Sequence, residues 1–137
     1  MEVIRPFRYN PNYVRRDSLL QIDRNYWEAN DWDDILTIDC IPLEILEILI
    51  DEKFLNPDDR QNRSPSAIQF LEFMRAHPGT LAHGYAVSPY RDDYRVTIEG
   101  LFVDCDSIIG RTYQDFLEFC READRLDIDG DLYSWWD

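Results

Sequence analysis

Residues 81–103 read LAHGYAVSPYRDDYRVTIEGLFV, and their periodicity decides the fold. Leu81, His83, Tyr85 and Val87 alternate with Ala82, Gly84, Ala86 and Ser88, which is the spacing of a strand. Pro89 to Asp93 form a turn. Tyr94, Val96 and Ile98 then alternate with Arg95, Thr97 and Glu99. The pattern predicts a β-hairpin with a five-residue connection. After Gly100 the apolar positions change parity to Leu101 and Val103, and a glycine at such a change predicts a β-bulge.

The segments before the hairpin have helical spacing. Leu43, Leu46, Leu49 and Ile50 share one face, while Glu44, Glu47 and Asp51 form an outward stripe. This helix is expected to begin after Asp39 or Cys40, with Ile41-Pro42 in its first turn, and to end near Phe54-Leu55, before Asn56-Pro57. The polar loop 56–63 follows. Ser64-Pro65 then reads as the cap and first residue of a helix carrying Ala67, Ile68, Phe70, Leu71, Phe73 and Met74, stopped by His77-Pro78-Gly79. The two helices form an expected αα-hairpin.

Further out the signals are weaker. Residues 1–16 read as an irregular or edge-strand arm, with Val3, Ile4, Phe7, Tyr9, Tyr13 and Val14 available to pack. Asp17 or Ser18 is the expected cap of a helix through Leu19, Leu20, Ile22, Tyr26 and Trp27, broken by the run 30–34. Ile35 to Ile38 fit a short strand or a turn of helix. Beyond the hairpin, Tyr113, Phe116, Leu117, Cys120 and Ala123 have amphipathic helical spacing, with Thr112 or Ser107 as cap. Asp129-Gly130 between Leu126-Asp127-Ile128 and Leu132–Trp135 predicts a tight type I′ hairpin. Helices, hairpin, helix and hairpin in that order predict one α+β domain over 1–137, an antiparallel sheet with helices packed on one face.

Composition bounds the function. The chain has 137 residues, a net charge of −14 and 45% hydrophobic residues, enough for a core without crosslinks. Such a surface repels nucleic-acid phosphates and anionic lipid and suits a basic partner, cations or solubility alone. Five arginines (Arg5, Arg8, Arg15, Arg16, Arg24) lie in the first 24 residues, and the expected role of that stretch is to lie across the acidic body. Lys53 is the one lysine, so planar Arg–carboxylate pairs are expected at the surface. Cys40, Cys105 and Cys120 are odd in number and lack zinc spacing, which argues for free thiols in the cytoplasm. No apolar leader opens MEVIRPFRYN, and Ile41–Ile50 is too short and too charged to span a bilayer.

Candidate chemistry is sparse. Asp127, Asp129 and Asp131 invite a calcium reading, but Gly130 at the sixth position of a calcium loop puts Arg125 first and Trp136 twelfth, so the motif fails. Asp104 and Asp106 flank Cys105 as a carboxylate pair, which helix capping and solvation also explain. His83 lies among apolar residues and fits a core histidine. A Cys–His dyad with Cys105 or Cys40 lacks any nucleophile motif. The small residues Ala82, Gly84 and Ala86 are expected beside Arg95, Thr97 and Glu99; a helix packed on the small side chains is favoured over a ligand there.

The leading functional expectation is a small acidic, non-enzymatic interaction or regulatory protein for a basic macromolecular partner, like an immunity protein or inhibitor. A mimic of nucleic-acid charge is one version. Its expected surface is Glu44, Glu47, Asp51, Trp135 and Trp136. The alternative is a ligand-binding domain or enzyme with a pocket on 81–103 using His83, Arg95 and Glu99. No metal, cofactor, direct nucleic-acid binding or membrane association is expected.

Overall fold

A computed structural model describes residues 6–137. The expected packing of Val3 and Ile4 lies outside those residues. Five strands form one antiparallel sheet in the order β1-β2-β3-β5-β4. They are β1 (Ile35–Ile41), β2 (Thr80–Val87), β3 (Val96–Val103), β4 (Arg125–Asp127) and β5 (Leu132–Trp135). The helices are α1 (Tyr13–Leu20), α2 (Tyr26–Ala29), α3 (Leu43–Asp51), α4 (Ala67–Ala76) and α5 (Thr112–Phe119). The architecture is α+β, a single domain with helices packing on the sheet. No helix among the described residues is long and apolar enough to cross a membrane.

The hairpin β2–β3 pairs Ala86 with Val96, Gly84 with Ile98 and Ala82 with Leu101. Side chains directly opposite share a face. The small residues of β2 therefore stand beside Val96, Ile98 and Leu101. Ala82, Ala86 and these three are buried in one core with Leu46, Leu49, Phe70 and Met74 of α3 and α4. His83 pairs with Gly100 and Gly84 with Ile98, which leaves Glu99 as the extra residue of a bulge. Glycine is needed at position 100 because a Cβ there would meet the Ser134 carbonyl and His83 Nε2.

The register corrects one expectation. Arg95, Thr97 and Glu99 do not stand beside Ala82, Gly84 and Ala86. Thr97 pairs with Tyr85, so the polar residues of β3 lie on the opposite face, with His83 and Tyr85. Ala82 and Ala86 are covered by the apolar packing of the core.

Other differences lie at element boundaries. α1 begins at Tyr13, inside the segment expected to be an arm, and its cap is Asn12, whose side chain accepts from the Arg15 N–H. Asp17 is unavailable as a cap because its carboxylate holds Arg16 and the Trp27 indole. Trp27 belongs to the separate α2. Residues 35–41 are all strand, so Asp39 to Ile41 do not open α3; Pro42 is its N-cap, and it ends at Asp51, ahead of the buried Phe54 and Leu55. α4 is capped by Ser66, which forms a reciprocal capping box with Gln69. Position 64 has no such Glu or Gln three residues on, and its hydroxyl instead accepts from the Gln61 N–H. Thr112 is the first residue of α5 and not its cap. The β4–β5 pair opens at Asp127–Tyr133, leaving a loop longer than two residues in which Gly130, not Asp129, has positive φ. That is not a type I′ turn, which needs both.

Beneath the hairpin tip, Arg16 is fully buried. Its Nε donates to Asp17 Oδ1 at 3.0 Å and its Nη1 to the Val87 carbonyl at 2.8 Å. The Nη2 group, also 3.0 Å from Oδ1, makes no well-aligned hydrogen bond. The guanidinium lies 4.8 Å from the Tyr94 ring centre, and the Trp27 indole closes the network on Asp17 at 2.7 Å. This pins α1 and α2 to the end of β2.

Candidate functional site

The polar face of the sheet carries the residues the sequence singled out as a pocket. His83 is buried, with its ring stacked on Tyr133 at 4.9 Å. Its Nε2 lies 2.7 Å from the Ser134 carbonyl oxygen, so that nitrogen carries the proton and donates. Burial lowers the pKa of His83, against the opposing pull of the Ser134 carbonyl and Glu99. Glu99 accepts from the Trp135 indole at 3.1 Å. Arg95 belongs to another group. Its Nη2 donates to the Tyr85 hydroxyl at 2.7 Å and its Nε to Thr97 Oγ1 at 2.9 Å. The Thr97 hydroxyl donates to Asp59 at 3.2 Å, and burial raises the Asp59 pKa against that bond and nearby Arg95.

His83, Arg95 and Glu99 thus share a face but are held by different internal partners. The surface cavities flanking the patches described below are lined by other residues. No cysteine lines these three cavities. Cys120 is buried, with its thiol pushed up to about 12 by desolvation. Cys105 is exposed, and the neighbouring Asp106 and Asp104 push its thiol up. Histidine 77 caps the end of α4 and lies 3.2 Å from Asp115.

The aspartates of the last loop divide between two settings. Asp127 is paired with Arg125 at 3.0 Å, whereas Asp131 lies with Asp104 and Cys105. Asp131 accepts the Cys105 backbone N–H at 2.9 Å, a loop-closing bond among exposed residues.

Of the expected partner surface, Glu44 and Asp51 are exposed on α3, while Glu47 is half-buried and 3.7 Å from Arg75 of α4. Trp135 is half-buried. Trp136 is buried in the core against Phe70, so it is not part of the exposed surface where the sequence reading set it.

A second acidic region escaped the sequence reading. Trp32 and Tyr90 stack at 4.4 Å, and Tyr13 meets both edge-on at 6.2 and 6.3 Å. Tyr90 is 66% exposed and the adjoining Val14 67%. Two clefts flank the stack. One, of about 310 Å³, includes Tyr13, Val14, Ile22 and Trp32 in its lining; the other, of about 550 Å³, is lined by Asp33, Tyr90, Arg91, Asp92 and Asp93. Asp31 and Trp32 both sit in the left-handed region at φ 58°. Aspartate tolerates that region, but a bulky aromatic there is held only by its surroundings. Here the Trp32 N–H donates to the Trp27 carbonyl at 2.7 Å, and the Ser88 hydroxyl donates to the Trp32 carbonyl at 2.6 Å. The sequence signal was the Asn-Asp-Trp-Asp-Asp run, which reads as a helix breaker and also as a tryptophan interleaved with acids, a residue type enriched in binding hot spots.

No protein-family model matches the chain, and neither a curated protein nor a solved structure shows significant similarity to it.

Proposed function

We propose that this protein is a non-enzymatic interaction or regulatory protein, resident in the cytoplasm, that presents an acidic surface to a basic protein in the manner of an immunity protein or inhibitor. One observation carries the reading. Among the described residues, ion pairs engage eight arginines (Arg15, Arg16, Arg75, Arg91, Arg95, Arg111, Arg121, Arg125) with only seven carboxylates. In a chain of 28 acidic and 14 basic residues, internal pairing consumes most of the positive charge and leaves the carboxylates in excess. A surface of that kind steers a cationic protein and repels phosphate. Three free cysteines suit a reducing compartment.

The rival reading, a ligand or substrate pocket on 81–103, gains less support. His83, Arg95 and Glu99 already have internal partners and divide between two groups.

Capture of the tagged protein from its native cells at low and high salt, read by mass spectrometry, tests the proposal. The expected result is a stoichiometric basic protein that is lost at high salt, because exposed charges are screened beyond about 3 Å at roughly 1 M salt. A partner retained at high salt, an acidic partner, or no partner at either salt contradicts it.

A further inference from the structure

We infer that the Trp32–Tyr90 stack and its two clefts are the docking surface for that partner, and that the partner is a protein segment presenting an arginine beside an apolar side chain. The inference rests on the acidic-partner reading and adds its location and chemistry.

The exposed Tyr90 packs on the half-buried Trp32 and Tyr13, and Trp and Tyr are the residue types enriched in binding hot spots. Here the rings divide two unlike surfaces. Trp32, with Tyr13, Val14 and Ile22, walls a cleft of mixed lining that Asp17, Ser18 and Arg24 complete. Tyr90 walls a cleft whose other residues are Asp33, Arg91, Asp92 and Asp93. Within it Arg91 is held bidentately by Asp93 at 2.8 and 2.9 Å. Asp33 and Asp92 are exposed and make no ion pair among the described residues. A cation entering there meets the acidic excess of Asp33, Asp92 and Asp93 over the single Arg91, beside the largely exposed Tyr90. Arginine suits both, because its guanidinium stacks on aromatic rings and forks to carboxylates. Val14, Ile22 and Trp32 in the neighbouring cleft offer apolar contact to the adjacent side chain. The phosphate backbone of a nucleic acid is repelled by the same carboxylates.

The backbone is consistent with a preset site. Trp32 is held at positive φ, a strained conformation of the kind that clusters at ligand clamps. Tyr26, just before this loop, donates its hydroxyl to Asp34 at 2.6 Å, which ties the loop's far end to α2.

The test is titration of the ¹⁵N-labelled full chain at low salt with a soluble peptide repeating Gly-Ser-Arg-Leu, alongside the same peptide with glutamate for arginine. The backbone amide and tryptophan indole resonances give the map. The expected result is movement of the Trp32 indole with the arginine peptide only, while the Trp27 indole, bonded to Asp17 in the interior, stays put. Tyr90→Ala is expected to weaken binding by about ten-fold or more, the loss expected of a central aromatic contact. Its exposed ring makes the variant a safe one for folding, and an unchanged melting curve verifies that.

Binding that Tyr90→Ala leaves unchanged, or shifts that map to α3, overturns the docking surface while leaving the acidic-partner reading in place. Indifference of the wild-type protein to both peptides also overturns it, and the capture experiment then decides the broader reading separately. Self-association that Tyr90→Ala abolishes, seen by sedimentation, overturns it in favour of a second copy as the occupant.

Discussion

The stripe on α3 and the ridge at Trp32–Tyr90 are both acidic, yet they differ in every other respect. The stripe is one face of one helix, with Glu44 and Asp51 exposed and Glu47 beside Arg75. Its apolar side faces the core through Leu46 and Leu49. Nothing on it departs from what an amphipathic helix requires. The ridge is assembled from residues 13–14, 32–33 and 90–93, exposes the Tyr90 ring and Val14, and holds a tryptophan at positive φ. The contrast teaches that charge alone does not mark a binding surface; charge beside exposed apolar area in a constrained backbone is the more specific signal.

The largest expected effect comes from breaking the scaffold of the ridge. Asp17→Ala leaves the buried Arg16 uncompensated and takes the acceptor from Trp27, so it should cost about 3–5 kcal/mol. Denaturant unfolding measures this, and hydrogen exchange should show α1 opening. A loss near that of a surface pair would mean the network does not hold the ridge.

The scaffold of the stripe should be less sensitive. Ser66→Ala removes the capping box of α4, which packs beside α3, and should cost about 1 kcal/mol. At the stripe itself, Glu47→Ala removes a partly exposed pair and should change stability by about 0–1 kcal/mol.

A pH experiment sharpens the contrast at the ridge's own loop. The Tyr26 hydroxyl, and next the Ile35 N–H, lower the pKa of Asp34. A carboxylate with a depressed folded-state pKa contributes stability that is present above its unfolded value, about 3.9, and lost as pH falls through the folded value. Tyr26→Phe should therefore unfold more easily than wild type at neutral pH and converge with it in acid. Parallel curves at all pH values would show that the Tyr26–Asp34 bond contributes nothing.

Much of the fold was legible because its signals are local. Alternation at 81–103 gave the hairpin, and Gly100 marked the bulge at Glu99. The amphipathic spacing of 43–51 and 67–76 gave both central helices. What failed was relational. Each strand's alternation was read correctly, but which face of β3 meets which face of β2 depends on their register. That register is set by the connection and the extra residue, so Arg95, Thr97 and Glu99 were placed on the wrong side. Arg16 and Asp17 look in sequence like solvated charges, and only the packing of Trp27 and Tyr94 around them makes them interior. The ridge was invisible for the same reason: Tyr13, Trp32 and Tyr90 have no shared period or motif and meet only through tertiary packing.

One measurement separates the two acidic regions most directly. Asp33→Lys with Asp92→Lys reverses charge at the ridge, and Glu44→Lys with Asp51→Lys makes the same change in net charge on α3. Binding of the arginine–leucine peptide is titrated calorimetrically against both variants and the wild type. The account predicts a loss of about ten-fold or more at the ridge and a much smaller one on the stripe. Equal losses would mean that net charge alone governs binding, and a larger loss on the stripe would place the partner on α3.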